Sequence, residues 1–213
     1  MKVKICGLTC LEDALAAIDA GADLLGFNFY PPSPRYLSIP TCARLSQEIE
    51  RRAPQILRVG VFVNTPPVQV LRILEQCDLH LAQLSGDELP EDLALLDGRG
   101  FKALRPAGQQ VALQRAADYA RQAFPALLVD HASRDVYGGS GQKADWGIAH
   151  SLAEHYPILL AGGLNPENVA QALEAVHPWG VDVASGVESE PGVKDPAKMR
   201  KFVLAAEQAV CAG

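Results

Sequence analysis

A few side chains in this sequence have the types and positions for proton-transfer chemistry on a phosphorylated substrate. Cys6 closes the apolar run Lys2–Cys6, Asp130 closes Ala126–Asp130, and Asp182 lies in the run that ends at Ser185-Gly186. A thiolate is a base, and a carboxyl group held in a poorly solvated place is an acid. Arg35, between Pro34 and Tyr36, puts a guanidinium on a proline-stiffened loop, where it could hold an anion. Gly162-Gly163 and Ser185-Gly186 each follow a short apolar run, and their backbone N–H groups have little or no side chain in the way. Asn165-Pro166-Glu167 then reads as a helix start, with a capping residue, proline at the first helical position and an acid in the first turn. Two such turns beside a helix N-terminus would cradle a phosphate.

Each residue also has a purely structural reading. A free cysteine is commonly a small buried hydrophobe, a strand-terminal aspartate is often a turn former, and a loop arginine is usually a solvated charge. Strand parity separates the readings for Cys6. Lys4 and Cys6 share one face of their strand, and Val3 and Ile5 the other. If the apolar pair faces helices, Lys4 and Cys6 point inward, and an inward lysine needs a partner. Asp182 is the expected partner if the last strand closes against the first. A Lys4–Asp182 ion pair beneath Cys6 would then favour the thiolate. Asp130 is followed by a glycine-rich loop rather than a helix, which weakens the capping explanation, and burial there would raise its pKa. Cys10, Cys42, Cys77, Cys211 and His131 read as structural or incidental, and Trp146 and Trp179 as helix packing.

The elements that must position these residues alternate from end to end. Strands are expected at Lys2–Cys6, Asp23–Phe29, Leu57–Val63, Leu79–Leu84, Phe101–Arg105, Ala126–Asp130 and in the two runs before the glycine turns. Helices are expected between them and from Pro196 to Val210, with Gly21 stopping the first. The segment His131 to Lys143 holds Tyr137-Gly138-Gly139-Ser140-Gly141, whose glycine content suggests a mobile lid. Near-continuous apolar strands imply a parallel sheet covered on its faces. Eight such units predict a single (β/α)8 TIM barrel over residues 1–213, with a phosphate site at the loops after strands 7 and 8. A doubly wound open sheet is the alternative, but the first turn, Cys6-Gly7-Leu8-Thr9, lacks the G-x-G-x-x-G pattern that such sheets place there.

The composition agrees. The chain has 213 residues, 48% hydrophobic and 21% charged, enough for one sizeable core. A net charge of -6 without a basic cluster argues against nucleic acid or an anionic membrane as partner. No apolar run approaches a membrane span, and the N-terminus runs straight into a strand pattern, so a cytoplasmic protein is expected. Five cysteines without paired-ligand spacing point to reduced thiols and to no metal site.

Taken in order, the motifs KICGLT at 4–9, GFNFYPPSPRYLS at 26–38, VGVFVN at 59–64, QLSGDE at 83–88, LLVD at 127–130, GGSG at 138–141, LAGGLNPENV at 160–169 and DVASGVESEPGVKD at 182–195 resemble phosphoribosylanthranilate isomerases. These are (β/α)8 enzymes of tryptophan biosynthesis, and the resemblance runs over nearly the whole chain. It implies an Amadori rearrangement of a sugar phosphate without cofactor or metal. It also implies Cys6 as general base, Asp130 as general acid and Arg35 as the holder of the anthranilate carboxylate. Asp182 would then reach the ribose hydroxyls, a role that competes with its ion pair. Gly162, Gly163, Ser185 and Gly186 would bind the phosphate, with a further contact from Gly141. The chain departs from the family at Cys10, usually Arg or Asn, and at Ser85, usually His, which leaves positioning of the aromatic moiety or sugar open. The partner expected is a small sugar phosphate, and the chain a monomer or homodimer. A metal-dependent epimerase, a carbon–carbon synthase and a non-catalytic sugar-phosphate-binding barrel are the competing functions. An epimerase would want a His/Asp cluster at strand ends, which the sequence does not offer.

Overall fold

The computed structural model describes residues 1–106, 108–130 and 145–211. Eight parallel strands close into a barrel in sequence order: β1 (Lys2–Cys6), β2 (Leu24–Asn28), β3 (Leu57–Phe62), β4 (Leu81–Leu84), β5 (Gly100–Leu104), β6 (Leu127–Val129), β7 (Ile158–Leu160) and β8 (Gly180–Val183). β8 pairs with both β7 and β1, which settles the closed barrel against the open sheet. The outer ring comprises α1 (Leu11–Asp19), α2 (Ile39–Arg52), α3 (Pro67–Gln76), α4 (Pro90–Ala94), α5 (Gln109–Tyr119), α6 (Trp146–Ala153), α7 (Val169–Val176) and α8 (Pro196–Cys211). One segment, 185–194, was not foreseen as structured. A 3-10 turn, Ser185–Val187, leads into a two-stranded antiparallel hairpin of β9 (Glu188–Glu190) and β10 (Val193–Lys194) before α8. The glycine-rich loop expected to form a lid, with His131 and Gly141, lies outside the described residues.

The alternation of strand side chains divides the core in two. Val3, Ile5, Leu25, Phe27 and Leu127 point outward into the layer shared with the helices. Leu24, Val59, Leu81, Phe101, Leu128 and Leu159 point inward and form a separate apolar plug inside the barrel. Trp179 packs against this inner plug, whereas Trp146 packs against the outer layer. The helix-packing role expected for both therefore holds for Trp146 alone. Helix ends follow local chemistry. The Asp145 carboxylate accepts hydrogen bonds from the Gly147 and Ile148 N–H groups at the start of α6. Gly21, at φ +99, ends α1 in a conformation that side chains resist.

Candidate active site

The site is built above the apolar plug, at the C-terminal ends of the strands. β1 places Lys4 and Cys6 inward, as parity requires. β1 and β8 lie in register with Lys4 opposite Asp182. The Lys4 ammonium donates to Asp182 Oδ1 at 2.7 Å, with Lys4 fully buried. Gly26, on β2, makes room for both β1 side chains: a Cβ there would stand 2.7 Å from the Cys6 sulfur and 3.1 Å from the Lys4 nitrogen. The ion pair expected from the sequence is present, and Lys4 favours the thiolate as expected, but it does not decide the net shift. Burial pushes the Cys6 thiol above its usual pKa, and the Asp182 charge adds to that. Lys4 and Lys194 pull in the other direction without prevailing. Lys4 is the strongest of the influences that favour the thiolate, but exclusion of water from around the sulfur outweighs it. Lys4 itself is held above its ordinary value: burial opposes the ammonium, and the charges of Asp182 and Cys6 outweigh burial.

Arg35 reaches the same mouth from the loop after β2. The Asn28 side chain organises that loop, accepting from the Tyr30 N–H and donating to Ser33 Oγ, which in turn accepts from the Arg35 N–H. Gly7 lets the arginine lie over the β1 turn, since a Cβ there would meet Arg35 Cδ at 2.5 Å. The guanidinium is already engaged. Arg35 Nε and Nη2 each donate to Glu188 at 2.7 Å, a bidentate pair. Lys194 donates to the same carboxylate at 2.7 Å and to the Ala184 carbonyl at 3.0 Å. Burial would push the Glu188 carboxyl up, but the hydrogen bonds from Arg35 and the charge of Lys194 hold it below the usual carboxylate range. Sequence reasoning missed both residues, because Glu188-Ser189-Glu190 and Val193-Lys194 are too short and too polar to show a strand period. The hairpin tip meets the other loops: Thr9 Oγ1 donates to the Gly192 carbonyl, and a Cβ on Gly192 would come within 2.7 Å of the Pro34 carbonyl.

Across the barrel, β4 contributes Gln83 and Ser85. Both are buried, and Gln83 Nε2 donates to Ser85 Oγ at 3.1 Å. Gln83 Oε1 has no hydrogen-bond partner among the described residues. Arg105 Nη2 donates to the Ser85 carbonyl. The Ser85–Glu88 loop is held from outside the barrel. Glu88 accepts from the Asn64 and Gly86 N–H groups and from Lys102. Gly86 packs so closely on Asn64 that a side chain would collide with it.

Two adjoining cavities open at this end. One is lined by Cys6, Arg35, Gln83, Ser85, Arg105 and Asp130, the other by Gly162, Gly163, Ser185 and again Asp130; Asp182 and Ala184 border both. The sequence-predicted residues are thus brought together, with the two aspartates between a side-chain-rich end and a backbone-rich end. Gly162 and Gly163 have φ +89 and +65, conformations that favour glycine. Gly186 is absent from the cavity lining; a side chain there would strike the Leu164 carbonyl, so this glycine brings the two turns together. The helix start after β7 is a capping box: Asn165 Oδ1 accepts from the Glu167 and Asn168 N–H groups, and Asn168 Oδ1 accepts from the Asn165 N–H. The regular helix begins at Val169, three residues beyond the expected first position.

Comparison with known proteins agrees with this geometry. The family described as N-(5'phosphoribosyl)anthranilate (PRA) isomerase matches residues 3–205. The N-(5'-phosphoribosyl)anthranilate isomerase of Myxococcus xanthus is 46% identical over 208 residues, covering 97% of this chain and 96% of the relative. The phosphoribosyl anthranilate isomerase structure from Thermotoga maritima superposes with TM-score 0.87 at 35% identity, covering 98% and 99% of the two chains. A further isomerase structure, in complex with reduced 1-(o-carboxyphenylamino)-1-deoxyribulose 5-phosphate, superposes with TM-score 0.82 at 34% identity, covering 98% and 99%. A barrel whose strand ends carry Cys6, Asp130 and Asp182, and a sequence matched almost throughout, together show that the chain belongs to the N-(5'-phosphoribosyl)anthranilate isomerase family.

Proposed function

We propose that the protein converts N-(5'-phosphoribosyl)anthranilate to 1-(2-carboxyphenylamino)-1-deoxyribulose 5-phosphate, a step of tryptophan biosynthesis, in the cytoplasm. The observation that carries this reading is the convergence of Cys6, Asp130 and Asp182 on one cleft whose far end is the pair of small-residue turns. The phosphate would rest on the N–H groups of Gly162, Gly163 and Ser185, near the start of α7. Gly186 would keep those turns together. The anthranilate end would lie toward Arg35. Asp182 would serve two roles, pairing with Lys4 and bordering the ribose.

In this reading Asp130 protonates the furanose ring oxygen, and the C1–O bond breaks to give an open-chain iminium. The Cys6 thiolate then removes the proton from C2, and the electron pair moves into the C1–C2 bond to give an enolamine. Tautomerisation yields the ketone. The iminium puts a positive charge beside the sulfur at the step that needs a thiolate. That charge works against the burial that holds Cys6 in its thiol form. Each proton-transfer group is expected to supply about 10²–10⁴-fold.

Loss of anthranilate-type fluorescence on mixing with phosphoribosylanthranilate tests the proposal. Turnover by the wild type, with Cys6→Ser and Asp130→Asn each slower by about 10²–10⁴-fold, is the expected result. No turnover by the wild type refutes the substrate. Variants as fast as the wild type refute the assigned acid and base and leave the fold untouched.

A further inference from the structure

Arg35 presents a difficulty that the family resemblance does not resolve. Its Nε and Nη2 are both committed to Glu188. A guanidinium and a carboxylate locked together are neutral as a unit. In a half-buried site such a pair offers no net attraction to a second carboxylate, and Glu188 repels one. Yet the proposed substrate brings an aromatic carboxylate to this end of the cleft.

We infer that Lys194 is a positioning residue for that carboxylate, acting by making the Arg35–Glu188–Lys194 cluster net cationic. The inference rests on the proposed substrate. Lys194 is buried, donates to Glu188 Oε1 at 2.7 Å, and reaches the Ala184 carbonyl at 3.0 Å. Ala184 borders both cavities, so the ammonium sits directly behind the wall of the cleft. Two cations against one carboxylate leave a single positive charge. Arg35 keeps the N–H groups it does not use on Glu188, and those are what a planar carboxylate would meet. The division of labour is physical: Glu188 fixes the direction of the guanidinium, and Lys194 restores the charge that Glu188 removes. The β9–β10 hairpin exists in this place to do both, since Glu188 and Lys194 face each other across it. Its tip also packs on Pro34, next to Arg35 itself.

The competing explanation is that Lys194 merely fastens the hairpin. Two ligands separate the explanations: reduced 1-(o-carboxyphenylamino)-1-deoxyribulose 5-phosphate, and the phenylamino counterpart without the carboxylate. Binding of each is measured by calorimetry to the wild type and to Lys194→Met, Lys194→Gln and Lys194→Arg. Glutamine retains a donor for the Ala184 carbonyl and keeps the test alive if the methionine variant folds poorly. The wild type is expected to prefer the carboxylated ligand. Lys194→Met and Lys194→Gln should lose about tenfold or more of affinity for that ligand while holding the other within about threefold, and Lys194→Arg should restore the preference. Equal losses for both ligands would overturn the role of Lys194 alone. A wild type that binds neither would refute the substrate itself, and this inference with it.

Discussion

Two of the buried lysine–carboxylate pairs, equal in length, are used in opposite ways. Lys4–Asp182 lies inside the barrel and Lys102–Glu88 outside it, each at 2.7 Å. Lys102 has all its donors spent, on Glu88 and on the Leu84 and Gly86 carbonyls. Glu88 is satisfied in turn by two backbone N–H groups, and Tyr119 donates to its carbonyl. That pair is closed, and it locks the loop carrying Ser85. Lys4 instead makes one ion pair and looks toward a thiol, while Asp182 borders open space. Both lysines suffer from burial. Its partners raise Lys4 above its usual value, whereas burial wins at Lys102 despite Glu88. A buried pair with spare hydrogen-bonding capacity can act on a ligand, and one without it can only hold structure.

Breaking the closed pair tests this most severely. Lys102→Met leaves the Glu88 carboxylate, with a side chain only 3% exposed, without its cation. Losing one partner of such a pair costs about 3–5 kcal/mol. Urea denaturation should therefore show a marked drop in midpoint, while turnover per folded molecule falls less than in a Lys4 variant. Equal stability of Lys102→Met and wild type would overturn the contrast.

Lys4→Met should invert the pattern. Asp182 borders the open cleft and can recover solvation, so the stability loss should fall below that of Lys102→Met. The Cys6 thiol, however, loses the strongest influence lowering its pKa. The sign of the pH effect follows. A base works when deprotonated, and the Cys6 pKa already lies above its ordinary value, so kcat/KM of the wild type should still be rising in the alkaline range. In Lys4→Met that rise should move to higher pH, lowering kcat/KM at neutrality by about tenfold per unit of displacement. A rising limb unchanged between the two proteins would detach Lys4 from the thiol.

The contrast also explains what could be read in advance. An inward lysine on a short β1 is legible from alternation alone, and closure of the barrel supplies its partner, so Lys4–Asp182 was accessible. The effect on Cys6 was not, because parity gives direction while the shift depends on how completely water is excluded. Lys102 sits in the apolar run Phe101–Leu104 facing the helices, and nothing local marks it as paired. Glu188 and Lys194 meet across a hairpin with no sequence period, although both lie in the DVASGVESEPGVKD stretch that carries part of the family resemblance, a signal that could have been pursued. Gly162 and Gly163 stood out because glycine turns are visible in the sequence, whereas the packing role of Gly186 depends on the Leu164 carbonyl, which only the three-dimensional arrangement supplies.

Ser85 offers the gentlest test, because it lies on the loop held by the closed pair but faces the open cavity. Its hydroxyl accepts from Gln83, and its backbone N–H donates to the Phe62 carbonyl, so the loop path does not depend on the side chain. Ser85→His installs the residue that the family resemblance implies at this position. The change removes the serine acceptor, frees the Gln83 amide to turn, and adds a ring at the end of the cleft that holds Arg35 and Arg105. One hydrogen bond is exchanged for another, which is worth about 0.5–1.5 kcal/mol. The expected outcome is a change in KM of no more than about tenfold with kcat nearly preserved, measured by the same fluorescence assay. A collapse of kcat instead would place Ser85 among the groups that act on the reacting atoms. It would also mean that the open side of the barrel extends further round the mouth than Cys6, Asp130 and Asp182.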